Sequence, residues 1–437
     1  MKKLFFKLWP INRSITGSGV SKTLKIIREY IGYLQVKNYK TGDKVFDWKI
    51  PEQWEIKEAY ILNPEGKKIC DYKINNLHVV GYSKKIKKFL SLDLLKKKLH
   101  TIKKVKNAIP YITSYYKKDW GFCISYDEYK NLKKGRYLAL INARHFKGKL
   151  SYGEFFKKGS DPREIFFSCN ICHPSLANNE LSGPVVMAHI AKWIKNINNK
   201  YSYRIIFVPE TIGSIAYISK NLKKMKEKII AGYTVTCAGD EKNYSFLPSK
   251  NISLSNQFAT ELFKENNIPF KQFSWLDRGS DERQYCSPNV DLPIASLMRT
   301  KYNEYPEYHT SLDKFGQTVT LKGLNQTFNL LKKLIIKIEK EKIPLCNTYC
   351  EPFMTKYQMY PTTSTKNQKT KTSTIMNILS YCDNSNTIKN ISTRTKIKIK
   401  ETKRILKILK QKQNQIQRTV LMTRKKRRKR KIIEANA

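Results

Sequence analysis

The sequence lacks the usual marks of a membrane-spanning or secreted protein. It contains no run of about eighteen apolar residues, the length that a helix needs to cross a bilayer. Residues 1–10 begin with lysines, but their apolar stretch is short and interrupted by Lys7, so they do not predict a signal peptide. Nine cysteines, an odd number in a chain of 437 residues, do not indicate a secreted disulfide framework. We therefore predict a cytoplasmic protein.

Acidic residues are scarce as well. The chain has 35 Asp and Glu against 84 Lys and Arg, and residues 361–437 hold 22 basic residues against three acids. Residues 424–431 form one unbroken basic run, and clustered cations gain affinity for phosphate by releasing counterions. The tail is thus a candidate contact for nucleic acid or an anionic surface. The remaining lysines are spread singly, which indicates a compositional bias rather than a binding groove.

Only six histidines are present, and one of them lies in the most informative segment, residues 169–183. The apolar run 165–169 that precedes it predicts a strand buried on both faces. The apolar spacing after Pro184 predicts a helix with proline in its first turn. His173 therefore follows a strand at the edge where open α/β sheets bind ligands, and Glu180 lies in the same turn. We expect Cys169 to pack in the core and Cys172 to neighbour the site.

Three further predicted strands also lead into ionisable residues, namely Glu210, Asp240 and His309. Two histidines and two carboxylates at one sheet edge match the nitrogen and oxygen ligands of zinc. Zinc activates water, and a nearby carboxylate can carry the proton to a leaving amine, which makes Glu210 the candidate general base. The alternative is that Glu210 and Asp240 only cap the helices that follow them.

The order of these residues resembles the zinc aminopeptidases of the bacterial leucyl aminopeptidase type. A closer resemblance is to a branch described by a domain of unknown function, the aminopeptidase-like proteins found among polysaccharide-biosynthesis genes. It extends to about residue 380. The matching segments, besides the His173 turn, are residues 9–17, 45–51, 76–80, 109–116, 120–123, 209–213 and 279–285.

This resemblance implies an α/β fold, with a zinc-exopeptidase-like mixed sheet flanked by helices. Residues 1–43 and 155–340 are expected to form this core, and residues 44–154, rich in short strands and turns, a β-rich inserted domain. Residues 341–395 resemble a partial winged-helix module. Residues 396–437 are expected to be a basic tail, helical or disordered.

The chain departs from the active aminopeptidases at two positions. Asn179 stands near their bridging aspartate, and Thr211 stands where they have a second glutamate. We therefore predict one zinc ion, held by His173, His309 and one or both of Asp240 and Glu180. A two-metal site and an empty site are the alternatives.

The resemblance also places the loop after Gly279 near the active site, with Asp281, Arg283 and Tyr285 as candidate substrate-binding residues. An arginine there can hold a substrate carboxylate, whereas surface ion pairing is the alternative. Tyr308 is a candidate for stacking on a peptide or sugar, and packing within its own loop is the alternative.

The predicted activity is zinc-dependent hydrolysis of an amide bond in a peptide or an amide-bearing small molecule. The competing prediction is a noncatalytic binding or regulatory protein on a peptidase fold, with the basic tail contacting nucleic acid or an anionic surface.

Overall fold

The computed structural model of the chain describes residues 1–357, 359 and 371–411, and it divides into two compact units, residues 1–339 and 340–437. The basic run 424–431, which we predict to contact nucleic acid or an anionic surface, lies outside the described residues. Within them, no helix is both long enough and apolar enough to cross a bilayer.

The strands of the described residues all belong to the first unit. They are β1 (Gln35–Lys40), β2 (Lys44–Val45), β3 (Trp48–Lys49), β4 (Gln53–Leu62), β5 (Lys68–Ile69), β6 (Ile86–Ser91), β7 (Leu99–His100), β8 (Phe122–Cys123), β9 (Arg136–Phe146), β10 (Lys149–Lys157), β11 (Asp161–Asn170), β12 (Tyr201–Val208), β13 (Ile229–Val235), β14 (Ser245–Leu247), β15 (Lys271–Gln272) and β16 (Ile294–Met298).

The helices occur in both units. They are α1 (Lys2–Leu8), α2 (Ser18–Ile31), α3 (Leu92–Lys96), α4 (Tyr126–Lys130), α5 (Ser182–Lys195), α6 (Ile212–Lys228), α7 (Leu254–Glu265), α8 (Glu282–Tyr285), α9 (Leu321–Lys340), α10 (Lys371–Leu379) and α11 (Ile388–Thr395), followed by a helical segment over residues 399–411. Short 3-10 turns lie at Asn76–His78, Trp275–Asp277 and Met354–Tyr357, and a π-helical turn at Ala177–Leu181.

A large mixed sheet forms the core of the first unit, with the strand order β1-β10-β12-β11-β13-β16-β14-β15. Its centre is parallel, since β11 pairs in parallel with β12 and β13, and β13 with β16. All residues of β12, β13 and β16 are buried, as expected for strands covered on both faces. The parallel strands end at one edge, and the loops that follow them carry His173, Glu210, Asp240 and His309.

A smaller antiparallel sheet, β5-β4-β9-β6, lies within residues 44–154, for which we predict a β-rich inserted domain. The predicted end of this segment at residue 154 differs from the structure, because β10 begins at Lys149 and pairs with β1 and β12 in the large sheet. Residues 150–155 of β10 are buried without a break. This strand was assigned to the insertion because short strands of the two sheets look alike in sequence.

The second unit has its own apolar core. Met354, Ile375, Ile378, Ile391 and Ile405 are buried together. Since Ile405 belongs to the helical segment 399–411, the packed module continues beyond residue 395, where we had predicted it to give way to the tail.

Candidate functional site

The turn after β11 holds His173 by two contacts with Glu180. The backbone N–H of His173 donates to Glu180 Oε1 at 2.9 Å, and His173 Nδ1 lies 2.7 Å from Glu180 Oε2. Both residues are buried, and Glu180 lies in the π-helical turn Ala177–Leu181, a form often found at functional sites. Burial lowers the pKa of His173, but Cys172 and Glu180 raise it further, to well above its ordinary value. Glu180 thus fixes the imidazole and leaves Nε2 as its outward nitrogen.

Asp313 joins this turn to the loop that carries His309. Its carboxylate accepts the backbone N–H groups of Asn178 at 2.8 Å and Asn179 at 3.0 Å, and its carbonyl accepts that of Ala177 at 2.9 Å. These donors would otherwise lack partners at the start of the turn. Sequence reasoning gave Asp313 no role, because nothing local indicates a contact across more than 130 residues.

His309 faces His173 across this junction, with ring centroids 5.4 Å apart. The ring stacks on Tyr308 at 3.9 Å, and its Nε2 is buried without a hydrogen-bond partner in the described part of the chain. Burial, with the charge of His173 as a lesser cause, lowers the pKa of His309 to about 3. His309 therefore offers a neutral imidazole with a free lone pair.

Residues 44–154 contribute a wall of this site through Tyr111. Its ring centroid lies 4.9 Å from that of His173 and 5.2 Å from that of His309. Its N–H donates to the carbonyl of His309 at 2.8 Å, and its hydroxyl lies 2.7 Å from that of Tyr115. Sequence reasoning matched residues 109–116 to the family but gave none of them a role.

Glu210, which follows β12, reaches the same place. Its Oε2 lies 3.7 Å from His173 Nε2, and its Oε1 accepts a close hydrogen bond from the Ser280 hydroxyl. Its N–H donates to Cys172 Sγ at 3.2 Å. Burial raises the pKa of Glu210, while His173 and Ser280 oppose the rise. The carboxylate remains 23% exposed, so it is open to proton exchange.

Thr211 adopts an uncommon backbone conformation beside Glu210. Its φ of 64° lies in the left-handed region, which β-branched residues rarely occupy. Asp281 Oδ1 accepts the Thr211 N–H at 2.7 Å, and Arg283 Nη2 donates to the Thr211 hydroxyl at 2.8 Å. Two of the predicted substrate-binding residues thus support the turn that presents Glu210.

These two residues differ in exposure. Arg283 is exposed, whereas Asp281 is fully buried and its Oδ2 has no partner in the described chain. Burial, and secondly repulsion from Glu210, raises the pKa of Asp281 to about 8. Arg283 is therefore the one of the pair that a substrate can reach.

Tyr285 is not where a substrate-binding residue was expected. Its side chain is fully buried, its hydroxyl lies 2.9 Å from that of Ser168, and its ring packs edge-on to Phe166 at 5.4 Å. The residue is part of the core beneath the sheet edge, because α8 turns that side chain inwards.

Asp240 also departs from its predicted role as a metal ligand. Its Oδ1 accepts from the Thr300 hydroxyl at 2.8 Å and from Lys242 N–H at 3.0 Å. Its Oδ2 accepts from Thr300 N–H at 2.9 Å and from Asn178 Nδ2 at 3.1 Å. Four donors occupy both oxygens, so Asp240 ties loops together.

One group of three side chains in the described residues has ligand atoms within 4.8 Å of one another: Cys172, His173 and Glu180. Burial raises the pKa of Cys172 to about 12, so its sulfur is a thiol at neutral pH. The 2.7 Å between His173 Nδ1 and Glu180 Oε2 is a hydrogen-bond distance. This group therefore orients His173.

The candidate metal-binding atoms include His173 Nε2, which the contact between Nδ1 and Glu180 does not use. His309 Nε2 and Asn179 Oδ1 are both buried, and neither has a hydrogen-bond partner among the residues that the structure describes. The imidazole nitrogens His173 Nε2 and His309 Nε2 are donors of the type that zinc takes in catalytic sites, and Asn179 Oδ1 is a neutral amide oxygen in place of the usual carboxylate. The residues present therefore fit a zinc ion.

Comparison with known proteins agrees with this fold. Residues 2–341 match the family described as "Domain of unknown function (DUF4910)", and residues 342–415 match a winged helix-turn-helix family. The chain belongs to the DUF4910 family. Its winged-helix module therefore runs past the boundary that we predicted at residue 395.

A relative from Clostridium acetobutylicum is 40% identical over 360 residues, 82% of each chain. It carries the provisional name of a polysaccharide biosynthesis protein with an aminopeptidase-like domain. A crystal structure of a provisionally assigned peptidase from the same organism is 35% identical over 94% of each chain, with a TM-score of 0.77. The predicted resemblance and fold class are thus confirmed for this DUF4910 protein.

A zinc aminopeptidase from Bacillus subtilis is a more distant structural neighbour. It is 13% identical, with a TM-score of 0.56 over 78% of this chain and 95% of its own. At that identity the similarity concerns the fold alone.

Proposed function

We propose that this protein is a zinc-dependent, aminopeptidase-like amide hydrolase with one metal ion. The observation that carries the proposal is the pair of imidazoles, His173 and His309, whose ring centroids lie 5.4 Å apart and of which His309 Nε2 is buried without a partner in the described chain. A buried polar atom without a partner costs about 1–3 kcal/mol, so such atoms persist where a ligand satisfies them.

We assign the metal to His173 Nε2, His309 Nε2 and Asn179 Oδ1. Glu180 then orients His173 through Nδ1 instead of binding the ion, as carboxylates beside metal-bound histidines commonly do. Asp240 is omitted because donors already occupy both of its oxygens. Zinc bound there would polarise a substrate carbonyl and activate water.

Glu210 serves as the proton carrier. Its raised pKa brings the carboxyl closer to neutrality, where it can both accept a proton and release one. Ser280 holds one oxygen, so the other is free to turn towards the reacting groups. The strained Thr211 turn, fixed by Asp281 and Arg283, keeps Glu210 at the sheet edge.

The substrate is an amide next to a free amine, in a peptide or a small molecule. Tyr308 and Tyr111 place aromatic rings beside the paired histidines, and Arg283 offers an exposed cation for an anionic group. The name of the Clostridium relative makes an amide of an amino sugar the second substrate class to test.

The test joins metal content to turnover. We expect about one zinc per chain, lost in His309→Ala and retained in Glu210→Gln. We expect Glu210→Gln to lower the rate on amino-acid amides or N-acylated amino sugars by roughly 10²–10⁴-fold. Glu227→Gln, an exposed acid on α6, is the matched control and should change neither value. Absence of zinc after reconstitution, or full activity of Glu210→Gln, would contradict the proposal.

The second candidate function is regulatory binding, favoured by the winged-helix match over residues 342–415 and by the neutral Asn179. In that case the intact protein binds double-stranded DNA with strong salt dependence. Binding that persists in His309→Ala, together with a failure of turnover on every substrate, would favour this function.

A further inference from the structure

A cavity of about 280 Å³ opens where α2 begins. Its walls are the segment before α2, the first turns of α2, part of β4 and Tyr72. None of His173, Glu210 and His309 lines it. The volume is slightly below the range for drug-sized ligands, about 300–1,000 Å³, so the cavity suits a small ligand.

The beginning of α2 supplies hydrogen-bond donors to this cavity. The helix has 14 residues, and its N-cap, Gly17, gives no side-chain cap. No acidic residue lies in the first turn, and the N–H groups of Ser18, Gly19 and Val20 have no acceptor within the described chain. Such a helix start carries a partial positive charge and attracts anions.

Two glycines bring this backbone close to its neighbours. Gly17 has a φ of 112°, and a Cβ there would lie 2.6 Å from the carbonyl oxygen of Trp54. A Cβ on Gly19 would collide with the carbonyl oxygen of Asn12. Glycine turns that open a helix expose backbone N–H groups in the same way in phosphate-binding loops.

Ser14 gives an independent indication of a ligand. The residue lines the cavity and is only 5% exposed, yet its hydroxyl has no partner among the described residues. Buried hydroxyls are rarely left unpaired, because the loss of hydration is not compensated. An anion at the start of α2 would accept from this hydroxyl.

The charges around the cavity favour an anion. Lys22, on the first turns of α2, lines it and is exposed. Glu55 is the one acid among the lining residues, and its carboxylate is paired with Arg144 Nη2 at 2.7 Å and Gln53 Nε2 at 3.3 Å. The positive charge of Lys22 is therefore available to a ligand.

We propose that this cavity binds the phosphate group of a small molecule. The N–H groups of α2, the Ser14 hydroxyl and Lys22 hold the phosphate, and Trp54 and Tyr72 line the space beside it for an attached carbon skeleton. The site is separate from the proposed hydrolytic function, although Arg13, next to Ser14, donates to the carbonyl of His173 at 2.9 Å.

The test is calorimetric titration of the full-length protein, in the presence of a chelator so that bound metal does not contribute. The probes are inorganic phosphate, glucose 6-phosphate and glucose. We expect saturable binding of phosphate-bearing probes and none of glucose. Lys22→Gln should weaken binding about tenfold, the effect of losing one charge-assisted hydrogen bond. Lys25→Gln, an exposed lysine on the same helix outside the cavity, is the matched control.

A second variant tests the helix start itself. Ser18→Pro removes one N–H at the first helical position, where proline is tolerated, and should weaken binding about tenfold. Circular dichroism checks whether this variant is folded. If it is unfolded, the comparison of Lys22→Gln with Lys25→Gln tests the proposal. Tighter binding of glucose 6-phosphate than of phosphate would identify a phosphate ester as the ligand. Equal binding of the two probes would identify the free phosphate ion as the ligand. Lack of saturable binding, equal affinities in both lysine variants, or binding that requires metal would overturn the proposal.

Discussion

The role of Glu180 gives the sharpest test of the proposed centre. Both of its oxygens contact His173, at 2.9 Å through the backbone N–H and at 2.7 Å through Nδ1, and the residue is 1% exposed. Glu180→Gln keeps the shape but leaves one acceptor oxygen for these two contacts. We expect zinc affinity to fall by roughly 10–100-fold, as for other carboxylates that orient a metal-bound histidine. The free energy of unfolding should fall by about 1–3 kcal/mol.

Competition with a chromogenic chelator measures the zinc affinity, and urea unfolding measures the stability. His309→Ala is the reference for loss of a direct ligand, and Asp240→Asn is the reference for a carboxylate that only ties loops together. Unchanged affinity in Glu180→Gln would refute the orienting role. A loss as complete as that in His309→Ala would show that Glu180 binds the ion directly, as the sequence predicted.

Three further outcomes are expected. Tyr285→Phe should lower the free energy of unfolding by about 1 kcal/mol through its lost contact with Ser168, and leave KM unchanged in a turnover assay. Glu164→Ala should lower the free energy of unfolding by about 1.5–3 kcal/mol in urea unfolding, because it removes two contacts, at 2.6 Å and 2.8 Å, from the buried Arg204, which keeps Glu154 as a partner. Burial first, and then positive charge, lowers the pKa of His189 to about 4. Between about pH 6.5 and 4 the histidine is protonated in the unfolded chain but neutral in the folded chain. The free energy of unfolding should therefore fall as the pH drops through that interval, and it should fall less steeply in His189→Phe.

The parallel core was predictable because its signals are local. Continuous apolar runs such as β12 and β13 are buried on both faces, and each leads directly into polar residues. The end of the insertion was not predictable in this way. β10 joins the core through pairing with β1 and β12, and pairing partners leave no mark in a single strand's composition.

The two histidines and the carboxylates of the site were predictable to different degrees. Both histidines reach the site, because the ends of parallel strands meet at one edge and few other histidines compete for the role. A carboxylate at such an edge can bind a metal, orient a histidine, carry a proton or connect loops, and the hydrogen-bond donors around it determine which of these roles it has. Asp240 receives four donors from loop residues, Glu180 receives two from one histidine, and Glu210 keeps one oxygen without a donor in the described chain.

The donor to Glu210 and three of the four donors to Asp240 come from residues far away in sequence, which explains why the site could be located but not completed from local patterns. Ser280 reaches Glu210 across 70 positions, and Tyr111 reaches the His309 carbonyl from the segment between β7 and β8. That segment is therefore part of the site, since one tyrosine packs against both proposed ligand histidines. It follows that changes in residues 109–116 should alter substrate preference while zinc content stays constant, because Tyr111 contacts the imidazoles through its ring and leaves their nitrogens free.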